Sequence, residues 1–178
     1  RLMQQLPGGG AMAAVQIGES DVRAAIAALA PDVEVAAING PQQVVVAGPR
    51  AGLARLLSHF AARGVETQAL NVSHAFHSAL IEPMLDEFAL VTASVAYSAP
   101  RIDLVSNLSG ELASAEVAEP DHWRRHARQP VRFFDGMRTL ERQGANTFIE
   151  VGPHPVLLGM GRRCVTAPDG AWLASLRR

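Results

Sequence analysis

Residues 11–72 constrain the fold more than any other stretch of this sequence, because their apolar periodicity switches between two and 3.6 with punctuation at each switch. The pattern predicts a strand over 11–17, then a helix over 22–29 with Ser20-Asp21 as its cap. Two strands follow over 33–38 and 43–47, on either side of an Asn39-Gly40-Pro41 turn that signals a hairpin. Residues 50–63 place apolar side chains at helical spacing, Gly64 supplies the stop, and 66–72 read as a further strand. Strand, helix, strand, strand, helix, strand is the split β-α-β order of a ferredoxin-like module, an α+β unit.

Beyond residue 77 the pattern becomes helix-strand alternation. A helix is expected from Ala79 to about Val91, with Pro83 in its first turns where a missing N–H costs least. A strand is expected near 104–107, helices over 121–126 and 134–143, a strand over 147–151 and a last helix near 155–163. This reads as the remainder of an open α/β sheet, so the fold class is α/β with an α+β small unit. Leu6-Pro7-Gly8-Gly9-Gly10 reads as a hinge ahead of the small unit.

With 178 residues and 48% hydrophobic content, the chain is long enough to bury a real core. Sixteen basic against seventeen acidic residues, no basic block and few aromatics argue against nucleic-acid and membrane partners. Every basic side chain is Arg, which removes any lysine-nucleophile chemistry. Cys164, alone of its type, is expected to be a buried, inert thiol rather than a metal ligand or nucleophile. No leader-like segment precedes the first motif and no apolar run reaches membrane-spanning length, so the cytoplasm is the expected compartment.

The run richest in chemistry is Ser73-His74-Ala75-Phe76-His77-Ser78, set where strand gives way to helix. A histidine at such a junction can project from a fixed backbone, as a general base must. Four motifs carry a resemblance: His74-Ala75-Phe76-His77, Ala36-Ala37-Ile38-Asn39-Gly40-Pro41-Gln42-Gln43-Val44-Val45-Val46-Ala47-Gly48, Arg128-Gln129-Pro130-Val131-Arg132-Phe133 and Glu150-Val151-Gly152-Pro153-His154-Pro155-Val156-Leu157. In this order they resemble the C-terminal part of acyltransferase domains of modular type I polyketide synthases, a family related to the malonyl-CoA:acyl-carrier-protein transacylases of fatty acid synthesis.

The resemblance implies a ferredoxin-like subdomain at 11–72, followed at 73–178 by the C-terminal part of an α/β-hydrolase-like acyltransferase subdomain, with 1–10 as the hinge from that subdomain's missing N-terminal half. It implies transfer of a malonyl unit from malonyl-CoA through an acyl-serine to the phosphopantetheine thiol of an acyl carrier protein, beside a ketosynthase domain, with no cofactor bound. By residue matching, His77 is the catalytic base and the backbone carbonyl of His126 orients it. His74 and Phe76 occupy the selectivity positions, H-A-F-H being associated with malonyl and Y-A-S-H with methylmalonyl transfer.

The nucleophile is not among these residues, since no serine lies in a G-x-S-x-G context. Truncation is the expected reason, and an inactive fragment the expected result. Arg1 matches the second arginine of the family's R-G-R-L-M-like run, not the carboxylate-binding one. Two other classes stand beside this reading: a non-catalytic docking module for a carrier protein or ketosynthase, and a different hydrolase-like enzyme pairing His77 with Asp86, Asp103 or Asp135. His122 and His126, four apart on a helix, lack a third metal ligand. His59 reads as a packing residue and His154 as part of a Gly-Pro turn.

Overall fold

A computed structural model describes residues 1–166 and 169–176. The first half follows the expected element order: β1 (Gly10–Val15), α1 (Glu19–Leu29), β2 (Glu34–Gly40), β3 (Gln43–Pro49), α2 (Arg50–Ala62) and β4 (Thr67–Ala69). The four strands form one antiparallel sheet in the order β2-β3-β1-β4. Gly40 pairs with Gln43, so the hairpin turn consists of Pro41 and Gln42.

Alternation along the strands buries both faces of this sheet. Ala13 and Val15 of β1 join Val33, Val35, Val44 and Val46 in a core against α1 and α2, where Val22, Leu53, Leu56 and Phe60 meet them. Met12 and Ala14 point the other way, into a second cluster with Ala36, Val45, Ala47 and Ala75. The loop carrying the histidine run is therefore the cover of the second sheet face. Gly10 makes the close approach possible, since a Cβ there would stand 2.8 Å from that of Ala75.

α2 ends as expected. Gly64 takes φ +72°, while its N–H and that of Val65 bond the carbonyls of Ala61 and Phe60, a Schellman closure. The expected cap of α1 is corrected. The helix starts at Glu19 with Gly18 at the N-cap position and no side-chain cap. Glu19 and Asp21 fall in its first turn, where negative charge suits the helix dipole.

The second half departs further from expectation. Residues 79–84 form a tight 3-10 segment around Pro83 before α3 (Leu85–Ala93) begins. The strand expected near 104–107 is only a bridge between Val105 and Leu112. The Ser106 hydroxyl accepts from Leu108 N–H, and Gly110 N–H bonds Ser106, so turn chemistry takes over. Next come α4 (Pro120–Arg128), α5 (Phe133–Arg142), β5 (Thr147–Glu150), α6 (Val156–Gly161) and β6 (Ala171–Ala174). β5 and β6 pair in parallel, with Phe148 stacked on Trp172 at 4.2 Å. Among the described residues this two-stranded sheet stands where a longer open sheet was expected, and β6 was not expected at all.

The two halves are joined through an edge. Val131 forms a parallel bridge to Ala37, its N–H bonding Ala36 O at 2.9 Å and its carbonyl accepting from Ile38 N–H at 2.8 Å. The segment after α4 thus extends the four-stranded sheet beyond β2.

Candidate active site

Ser78 organises the turn that carries His77. Its buried hydroxyl donates to Ala75 O at 2.6 Å and accepts from Leu80 N–H at 3.3 Å, capping the 3-10 segment from within. His77 takes φ +57° and is the only non-glycine residue at positive φ among the described residues. For a residue with a Cβ the left-handed region is uncommon, and such conformations gather at sites where the surroundings dictate geometry. Sequence reasoning found His77 but had no signal for this backbone.

The His77 ring is half-buried, and its Nδ1 is shielded from solvent without a hydrogen bond of normal geometry among the described residues. Burial pushes its pKa below the usual imidazole value. The carbonyl of Gln129 opposes this, the His126 ring adds to it by charge repulsion, and the carbonyls of His126 and Ala127 oppose it again. Carbonyls from the end of α4 therefore lie beside the base candidate. The sequence pointed to His126, and the carbonyls of Gln129 and Ala127 act on the ring in the same direction as that of His126. Gln129 is held in place by the Val131 bridge two residues on, a tertiary pairing that local sequence does not announce.

His126 stands edge-on to His77, with ring centroids 6.4 Å apart, and stacks on His122 at 6.3 Å. Burial lowers the pKa of both His122 and His126. No third His, Cys, Asp or Glu joins them in a metal-site grouping among the described residues.

His74 contacts Ser73 Oγ through Nδ1 at 2.9 Å and Leu6 O through Nε2 at 3.2 Å. Phe76 lies 6.1 Å from the His74 ring and packs against both the Met12–Ala75 cluster and the cluster of Leu6, Ile81, Met84 and Leu85. The hinge expected at 6–10 is anchored at both ends: Leu6 is buried, Gly9 O accepts from Arg50 N–H, and Gly10 opens β1.

Among the described residues, no hydrogen bond, ion pair or ring contact is seen between His77 and Asp86, Asp103, Asp135, Cys164, His59 or His154. Asp135 is engaged by Arg132 at 2.5 Å, which disfavours it as a partner acid. Cys164 is buried with Sγ 3.3 Å from Asn39 O, and burial raises its pKa to about 11, the profile of an unreactive thiol. His59 packs edge-on against Phe60, and His154 is exposed. A cavity of about 710 Å³ shares Arg128 and Gln129 with the surroundings of His77, and its remaining walls come from α1, β2, the loop between them and Pro130. No helix among the described residues is long and apolar enough to cross a membrane.

The family model of the acyl transferase domain matches residues 1–176. A polyketide synthase of Streptomyces halstedii, GfsA, is 46% identical over 170 residues, which is 95% of this chain but 2% of that protein. The acyltransferase domain from the second module of the salinomycin polyketide synthase superimposes with a TM-score of 0.94 at 43% identity, over 99% of this chain and 42% of that one. An acyl carrier protein S-malonyltransferase from Vibrio cholerae gives 0.90 at 30% identity, over 99% and 59%. The chain thus spans under half of that solved synthase domain and a small part of the curated relative. With the family model spanning residues 1–176 and 99% of the chain superimposed on solved relatives, the chain belongs to the acyltransferase domains of type I polyketide synthases, relatives of the malonyl-CoA:acyl-carrier-protein transacylases.

Proposed function

We propose that this chain supplies the general base of a malonyl-transferring acyltransferase, and that the base is His77. The observation that carries the reading is the conformation and placement of His77: a positive-φ backbone locked by Ser78, with Nδ1 shielded from solvent and the ring beside carbonyls at the end of α4. A carbonyl facing Nδ1–H would leave Nε2 free to accept a proton. The depressed pKa keeps the ring neutral, hence basic, at neutral pH.

In the proposed cycle Nε2 takes the proton of a serine hydroxyl as its oxygen attacks the thioester carbonyl of malonyl-CoA. The tetrahedral oxyanion collapses, the CoA sulfur departs with the proton from the imidazolium, and an acyl-serine remains. The phosphopantetheine thiol of an acyl carrier protein then gives its proton to Nε2 and attacks the ester. The serine oxygen leaves and recovers the proton. No serine of these 178 residues has the G-x-S-x-G setting, so the nucleophile is assigned to residues outside them, and the chain by itself is expected to be inactive.

The finer assignments belong to the same reading. The four-stranded antiparallel unit is taken as a ferredoxin-like subdomain, and the rest as part of an α/β-hydrolase-like subdomain beside a ketosynthase in a cytoplasmic multidomain chain. Phe76, wedged between two clusters, presents a fixed phenyl surface that suits malonyl over branched acyl groups. The test is acyl-serine formation from malonyl-CoA by the complete domain, read by mass spectrometry. His77→Ala is expected to slow it by about 10²–10⁴-fold, and His74→Ala much less. Equal losses from both would remove His77 from the role.

A further inference from the structure

A carboxylate and a guanidinium tie together the two pieces of chain that meet at His77. Arg128, the last residue of α4, sits immediately before Gln129. Its Nη1 and Nη2 donate to Glu34 Oε2 and Oε1 at 2.7 and 2.9 Å, a two-pronged pair, and its Nε donates to Glu82 Oε1 at 2.9 Å. The same Glu34 Oε1 accepts from the backbone N–H of Ala79 at 2.8 Å, two residues beyond His77. One β2 carboxylate therefore holds both the turn bearing the imidazole and the helix end bearing the carbonyls around it.

The pair is built to be rigid. The Arg128 and Glu34 side chains are only 24% and 35% exposed, whereas Glu82 is 56% exposed. Fork geometry fixes orientation as well as distance, which a single point charge does not. Burial works against the guanidinium's charge, but Glu34 and then Glu82 more than offset it and raise its pKa. Downstream, the Val131 bridge pins Gln129 to the same strand, so β2 is the common reference for base and carbonyls.

We propose that Arg128 and Glu34 are positioning residues for His77, setting the gap between its Nδ1 and the carbonyls of Gln129 and His126 and thereby the tautomer of the ring. This rests on the reading of His77 as base, but its test does not require activity. Nitrogen-15 correlation spectra of the imidazoles in the full chain report each tautomer directly. His77 is expected in the Nδ1–H form. Arg128→Ala should lower its Nδ1–H to Nε2–H ratio by roughly 2- to 12-fold, the size of one net polar interaction between the ring N–H and a neighbouring carbonyl. Glu34→Gln should shift it in the same direction, and Arg128→Lys should not fully restore it. Glu82→Gln should leave it in place.

His59 and His154, remote in the fold, report whether each variant remains native; should Arg128→Ala fail to fold, Glu34→Gln carries the test. An unchanged His77 ratio in a native Arg128→Ala or Glu34→Gln chain would overturn the proposal. So would an Nε2–H tautomer in the unaltered chain, or an equal shift from Glu82→Gln. If the ratio shifts as expected but His77→Ala hardly slows acyl-serine formation in the complete domain, the positioning stands and the base assignment falls.

Discussion

Gly10→Ala should loosen the histidine loop from the sheet although it adds only one methyl group. An ideal Cβ at Gly10 would lie 2.8 Å from Ala75 Cβ, 3.0 Å from Ala75 N and 3.1 Å from Leu80 Cδ1. Ala75 is 1% exposed and has no rotamer with which to yield, so its backbone must move or β1 must. β1 is held at this point by the pairing of Gly10 with Pro49. Overpacking of this kind costs about 1–3 kcal/mol, while the lower freedom of the unfolded Ala chain returns about 0.4–1 kcal/mol. A net loss of about 1–2 kcal/mol corresponds to a melting temperature lower by roughly 2–8 °C for a chain of this size. Gly8→Ala is the matched comparison, because a Cβ there meets nothing within 4 Å and its φ is not positive. Thermal melts followed by far-UV circular dichroism measure both. If Gly10→Ala melts at or above Gly8→Ala, the loop is not pressed on the sheet as described and the reasoning fails.

Three other outcomes are expected. Since burial depresses the pKa of His77, His122 and His126 below 6.5, the unfolded chain binds more protons just below that value, and stability should be complete above about pH 6.5 and fall with pH through the folded values; a urea midpoint that is flat or rises from pH 7 to 5 would contradict this. In the complete domain, His74→Tyr with Phe76→Ser should move preference toward methylmalonyl-CoA by about 1–3 kcal/mol in relative kcat/KM, a partial change. An unmoved ratio in an active enzyme would leave Phe76 as a packing residue. Cys164, its pKa raised to about 11, should resist iodoacetamide at pH 8 in the folded chain and react readily in urea, as counted by mass spectrometry.

The first half of the fold was legible because its signals are local. Gly64 stops α2 by its own backbone freedom, and the Asn39-Gly40-Pro41 signal announced the hairpin between β2 and β3, although Asn39 and Gly40 end β2 and the turn itself is Pro41-Gln42. Residues 104–107 misled because a β-like composition gives no strand without a partner of matching length, and Ser106 and Gly110 close a turn first. β6 escaped notice because Ala-Trp-Leu-Ala is short and becomes a strand only beside β5. At the candidate site, the motif singled out His77, His74 and Phe76. The φ of His77, the nearness of the Gln129 carbonyl and the Arg128–Glu34 fork were not legible, the last two because they depend on pairing between segments distant in the chain.

The bridge between Ala37 and Val131 also bears on the order in which this chain can fold. Strands β1 to β4 need only residues up to Ala69, so the four-stranded sheet can pair before the second half of the chain has been made. Until Val131 arrives, the outer side of β2 offers unsatisfied N–H and carbonyl groups of Ile38 and Ala36 to any passing strand. During synthesis the nascent sheet therefore has an interval of vulnerability to edge-to-edge association that closes only when the segment after α4 has emerged. The docking that ends that interval also brings the end of α4 to His77, so escape from misassembly and assembly of the His77 surroundings are a single late event.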